Sequence, residues 1–190
     1  MKTWICILLI LGPFTLIGQQ IPTGKAGGMM DTTVNNTLKL LDPASIRQNI
    51  GDQRKNFIED EQATRVQFAN KTNNEYLILY HLDGSNANSF NEFEIGALNT
   101  KKRSFKTTTF PSFYTESGVH VGMTMDSLIA IKGKKFKRTD QKDIIALTYR
   151  VTDNHVANHI LTRYNMPIYE AQYFFRGNKL IKFIFGFPDL

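Results

Sequence analysis

The sequence predicts an α+β fold, an antiparallel sheet with one or two short helices packed against it. Three observations carry that expectation. Short apolar or alternating runs separated by turn residues recur between positions 64 and 110, the pattern of a meander of about four strands. A compact helix signal, Thr124-Met-Asp-Ser-Leu-Ile-Ala-Ile-Lys-Gly133, stands in the middle of the chain. Two apolar stretches then flank Arg176-Gly177-Asn178 at the end, as in a hairpin. Strands grouped before and after a helix, without strict strand–helix alternation, argue for α+β over α/β.

Taken in order, the chain opens on Met1-Lys2-Thr3, an apolar stretch over 4–11, Gly12-Pro13 and Phe14-Thr-Leu-Ile-Gly18. One basic residue, a short apolar core and a small residue at position 18 form the pattern of a secretory signal peptide over 1–18. The apolar stretch is broken too early for a membrane span, which needs about 20 residues. Cys6 is the sole cysteine and lies inside the signal, far from the end of the apolar region where a lipoprotein carries its modified cysteine. The expectation is an exported protein, periplasmic or secreted, soluble and not a lipoprotein. Its mature chain has no thiol and no disulfide. The formal net charge is +6, mildly basic and compatible with attraction to an anionic surface.

Residues 19–40 are rich in Gly, Thr and Asn and read as a flexible lead-in. A single α+β domain is expected over 41–190. Asp42 caps a short helix with Pro43 at its first position, Ile46 and Ile50 on one face and Gly51 as its stop. Positions 64–68 alternate, 70–74 form a turn cluster, and 75–82 are almost continuously apolar, as in a strand covered on both faces. Residues 93–97 and the Thr- and Phe-rich 104–110 read as further strands. Thr124 suits an N-cap, Asp126 the first turn, and Lys132 and Gly133 the helix end. After a basic linker, 143–151 reads as a strand. The stretch 152–166 fits either a helix bearing Val156, Ile160 and Tyr164 or an irregular crossover. In the closing hairpin, a three-residue Arg176-Gly177-Asn178 loop pairs Tyr173 with Ile181 and Ala171 with Phe183. That register keeps like residues on one face, with Asn178 left-handed.

The segment Gly118-Val-His-Val-Gly122-Met-Thr-Met-Asp-Ser-Leu128-Ile, closed by Gly133, resembles a pattern known from exported bacterial domains. It is similar to the outer-membrane assembly lipoproteins of the SmpA/OmlA (BamE) type and to β-lactamase-inhibitory-protein-like domains. In those, Gly-Met-Thr opens a short helix that ends at a glycine and leads into antiparallel strands. The similarity covers 118–187. The whole mature chain resembles a group of exported proteins of Bacteroidota through Thr115-Glu-Ser-Gly118 and Arg163-Tyr-Asn-Met-Pro167. It departs from the small-domain pattern at Lys134-Lys135, where a proline usually follows the glycine, and in lacking the lipidated cysteine. The resemblance implies a domain that binds other proteins and is not an enzyme, although likeness of fold transfers no function by itself.

The residues expected to bind are basic. One cluster is Lys101, Lys102, Arg103 and Lys106; the other is Lys132, Lys134, Lys135, Lys137 and Arg138. Gathered cations suit an anionic surface or an acidic protein, and lysines that merely keep a loop soluble give the same pattern. Export argues against nucleic acid as the partner. His155 and His159 stand at i, i+4 and could share one helix face around a metal, but no third ligand is placed by spacing. They are a weak candidate, and no metal or other cofactor is expected. His120 and His81 read as structural or surface residues.

Catalytic patterns are few. There is no Gly-x-Ser-x-Gly and no phosphate-binding glycine loop. Glu59-Asp60-Glu61, Glu92 and Glu94 could supply a carboxylate pair of the glycosidase kind, and acids at strand ends are commonly just solvated. The leading expectation is therefore an exported, non-enzymatic interaction module contacting an envelope or secreted macromolecule. The alternatives are a carboxylate- or metal-dependent hydrolase, and a structural envelope protein with no discrete ligand.

Overall fold

Antiparallel pairing of the strand Phe90–Ala97 with the strand Lys179–Gly186 joins strands from the two halves of the chain into one sheet. The computed structural model describes residues 30–59, 63–81, 85–98, 105–152 and 159–188. The expected signal peptide, the first half of the lead-in and the basic residues 101–103 lie outside them. In chain order the elements are β1 (Thr33–Val34), β2 (Leu38–Lys39), α1 (Pro43–Ile50), β3 (Ile58–Glu59), β4 (Thr64–Ala69), β5 (Glu75–His81) and β6 (Phe90–Ala97). Then follow β7 (Lys106–Thr107), α2 (Met125–Lys132), β8 (Lys137–Gln141), β9 (Ile144–Val151), α3 (Ile160–Tyr164), β10 (Tyr169–Arg176) and β11 (Lys179–Gly186). The large sheet runs β3-β4-β5-β6-β11-β10-β9-β8, with β7 added parallel to β4. The protein is α+β.

Alternation along each strand builds the core. Val66 and Phe68, Leu77 and Leu79, Phe93 and Ile95, Phe183 and Phe185, Tyr173 and Phe175, and Leu147 and Tyr149 all lie on one buried face. Ile46 of α1 and Leu128 of α2 belong to the same core. Both helices are two turns long and stable only by such packing. In β5, Ile78 is buried as well, which is why its apolar run lacks alternation.

Two copies of one plan make the large sheet. Each begins with an eight-residue helix, continues through four strands, and places its last strand at the centre. The Asp42 carboxylate accepts the Ala44 and Ser45 N–H groups of α1, and the Thr124 hydroxyl accepts the Ser127 N–H of α2. Both helices stop on a glycine of nearly identical backbone geometry, Gly51 (φ 81°, ψ −176°) and Gly133 (φ 83°, ψ −175°). Each chain approach to a helix bonds to the start of its own central strand. Leu41 N–H donates to Phe90 C=O at 2.9 Å, and Gly122 N–H to Leu180 C=O at 2.7 Å.

The strands repeat too. The pairing of β5 with β6 shifts between Tyr80 and His81, and that of β10 with β11 between Phe174 and Phe175. Beyond those bulges Phe93, Ile95 and Gly96 occupy the places of Phe183, Phe185 and Gly186. The central strands pair antiparallel with Glu94 opposite Ile184, so an approximate two-fold axis passes beside that pair. Gly186 has φ 146°, and a Cβ there would lie 2.1 Å from the Asn91 carbonyl oxygen. Only glycine fits that approach.

Several sequence expectations need correction. The hairpin loop is Gly177-Asn178, with Arg176 paired to Lys179. The bulge then skips Ile181 and sets Tyr173 opposite Phe183, not Ile181. A bulge moves a register by one residue and so restores facing apolar pairs without a longer loop. Asn178 is left-handed as expected, φ 62°. The basic linker after α2 contains strand β8, and among the described residues of 104–110 only Lys106–Thr107 is a strand. Of 152–166, residues 153–158 lie outside the described residues; among the rest a helix runs over Ile160–Tyr164, and His159 sits before it at φ 53°.

Candidate anion-binding groove

The end of α2 fixes the start of the basic segment. Gly133 N–H donates to Ile129 C=O at 2.8 Å, and the Gly133 carbonyl accepts the Tyr149 hydroxyl at 2.8 Å. Three residues on, the Phe136 ring packs against the Tyr149 ring with centroids 5.6 Å apart. Lys134 and Lys135 are exposed between these two anchors. Burial pushes the Tyr149 hydroxyl up to about 12, so it stays a donor to Gly133 throughout the neutral range.

Strand alternation completes a groove on the face of the sheet opposite the core. β8 pairs with β9 so that Lys137 faces Thr148, and β9 with β10 so that Arg150 faces Glu170 and Thr148 faces Gln172. These side chains, with 134–136, surround a concave surface of about 620 Å³. Glu170 is its one acid and is already engaged: it lies 3.8 Å from Arg150 and accepts the Gln172 amide at 2.5 Å. Among the described residues Lys134, Lys135 and Lys137 have no acidic partner. A net positive charge therefore remains on a surface with an aromatic edge at Phe136, suited to a carboxylate- or phosphate-bearing ligand.

Other expected site residues go elsewhere. Arg138 alternates to the opposite face of β8 and pairs with Asp140 at 2.9 Å, so it is not part of the groove. Lys132 points inward and forms a buried ion pair with Asp31. Lys101, Lys102 and Arg103 lie outside the described residues, and Lys106 is exposed in β7. His155 also lies outside them, and His159 stands just before α3 with a left-handed backbone. His81 packs on Phe57 and Phe90, and His120 Nδ1 contacts the Gly118 carbonyl. Among the described residues no group of three His, Cys, Asp or Glu is gathered as a metal site.

Of the acids, Asp60 and Glu61 are outside the described residues and Glu59 ends β3. Glu94 accepts the hydroxyls of Tyr76 at 2.6 Å and Tyr80 at 3.0 Å, with Lys182 at 3.9 Å. Burial and the Glu94 charge push the Tyr80 hydroxyl well up. A carboxylate so supplied with donors is committed to the sheet.

Reading the sequence found Lys134, Lys135 and Lys137 but missed Arg150, Thr148, Gln172 and Phe136. The alternation of 143–151 held the signal for Thr148 and Arg150; it becomes useful only once β8 is recognised as their neighbour. No helix among the described residues is long and apolar enough to cross a membrane. Neither protein-family models nor curated proteins nor solved structures give a match to this chain.

Proposed function

We propose that the chain is an exported, non-enzymatic interaction module that holds an anionic macromolecular partner in the groove beside β8. The observation that carries this reading is the trio Lys134, Lys135 and Lys137 around a concave surface whose acid, Glu170, is already engaged by Arg150 and Gln172. Each lysine alone is an ordinary solvated charge. Three of them on a backbone anchored by Tyr149 form a fixed positive field that a partner can meet without ordering the loop first. Export rests on the signal-like residues 1–18.

The test is binding of fluorescent poly-glutamate to the purified protein across a salt series. A Lys134→Gln/Lys135→Gln/Lys137→Gln variant is compared with a charge-matched Lys39→Gln/Lys71→Gln/Lys179→Gln variant. Affinity lost only in the groove variant, with a reduced salt slope, supports the reading. Equal loss in both variants reduces it to general attraction by a basic protein.

A further inference from the structure

We infer that β8 is a docking edge, to which an extended acidic segment of a partner protein adds as a further strand with its carboxylates over the groove. This rests on the binding role proposed for the groove and specifies both the partner and its conformation.

The backbone of β8 is available. It ends the sheet, pairs only with β9, and all five of its residues are exposed. Among the described residues no strand lies on its outer side. Its register with β9 runs through five successive pairs from Lys137–Thr148 to Gln141–Ile144 without a shift, and the strand contains no proline. A regular edge of this kind presents outward N–H and C=O groups in the spacing another strand needs. The opposite end of the sheet is different: β3 has two residues and covers only the first part of β4.

Side-chain chemistry selects the occupant. Alternation puts Lys137 and Thr139 on the groove face and Arg138 and Asp140 on the other. Alternate side chains of an added strand therefore fall beside Lys137 and within reach of Lys134 and Lys135. Acids at those places meet three unpaired cations; apolar residues would leave the cations unpaired and partly desolvated. The lysines thus reject apolar strands while admitting acidic ones. A second copy of the chain is less well matched. Pairing two β8 strands antiparallel about Thr139 sets Arg138 opposite Asp140, but it also lays two groups of three unpaired lysines on one face.

The experiment uses a fluorescent peptide of alternating Glu and Thr and two derivatives N-methylated at alternate amides, one set for each edge of the peptide. Strand addition predicts that one derivative binds at least tenfold more weakly and the other like the parent. A Lys135→Glu/Lys137→Glu variant should lose the peptide and take up its Lys-Thr counterpart. If both N-methylated peptides bind like the parent, strand addition is overturned while the anionic groove stands. If neither the peptide nor poly-glutamate binds, both fall. A concentration-dependent dimer in sedimentation that excess peptide does not dissociate assigns the edge to a second copy instead.

Discussion

Lys132 Nζ lies 2.5 Å from Asp31 Oδ2, and neither side chain has more than 1% of its surface exposed. The pair joins the last turn of α2 to a segment 101 residues earlier. That segment is fastened again just beyond it, where the Glu116 carboxylate accepts the N–H and hydroxyl groups of both Thr32 and Thr33. Removing one partner leaves a buried charge uncompensated, which costs about 3–5 kcal/mol. Lys132→Met alone should therefore lower the urea midpoint sharply, and Lys132→Met/Asp31→Leu should recover most of the loss. A single variant within about 1 kcal/mol of the parent would mean the pair behaves like a surface ion pair.

Two tyrosines nearby should respond in opposite ways. The Tyr169 hydroxyl accepts Asp31 N–H at 2.9 Å and donates to Asp31 C=O at 2.7 Å. The Tyr173 hydroxyl, equally buried, has no hydrogen-bond partner among the described residues. Tyr169→Phe orphans a buried backbone donor and acceptor and should cost about 1–3 kcal/mol. Tyr173→Phe removes an unpaired polar atom and should be neutral or stabilising. Thermal or urea unfolding of the two variants compares them directly, and equal destabilisation would show that Tyr173 is paired in solution.

Much of the local structure was legible in the sequence because its causes are local. Asp42, Pro43 and Gly51, or Thr124 and Gly133, specify a helix start and stop through backbone groups a few residues apart. The duplication was not legible. The helices match at one spacing in the chain, Asp42 to Thr124, and the central strands at another, Gly96 to Gly186, because the intervening loops differ in length. No single period survives, and the shared features are caps, bulges and burial more than identities. β8 escaped for a related reason: Lys137-Arg-Thr-Asp-Gln141 is exposed on every residue, so it has no apolar alternation to betray it. The groove depends on that strand, so its cations were visible and its shape was not. Lys132 shows the converse, since no local rule says that one lysine of a basic run turns inward to an acid a hundred residues away.

Glu75 should give the stability a pH dependence of definite sign. Its carboxyl is pushed above the ordinary value of 4.5, chiefly by burial, against the opposing Phe113 N–H bond at 2.8 Å and the nearby His120. The folded state therefore holds this proton after the unfolded chain has released it. Its contribution is fully present below pH 4.5 and is lost as pH rises through the folded value. Glu75→Gln keeps an acceptor for Phe113 and cannot ionise. The stability of that variant relative to the parent should rise between pH 4 and pH 7, read as the difference in urea midpoints. A constant difference would mean that Glu75 is solvated enough to ionise normally.

Tyr149 links the core to the groove without supplying charge. Its hydroxyl holds the Gly133 carbonyl at 2.8 Å, and its ring supports Phe136, so it constrains the loop from both ends. Tyr149→Phe keeps the ring and loses one neutral hydrogen bond, a change of about 1 kcal/mol in stability. If the lysines bind because they are held in place, the freed Gly133 carbonyl should let Lys134 and Lys135 spread. Affinity for the Glu-Thr peptide should then fall several-fold while the slope of affinity against salt stays unchanged. A purely electrostatic loop responds differently: the cations remain and affinity should not move. Loss of affinity with a lowered salt slope would instead mean that a cation had left the contact, which the hydrogen bond alone does not explain. Measuring both quantities on one variant separates positioning from charge.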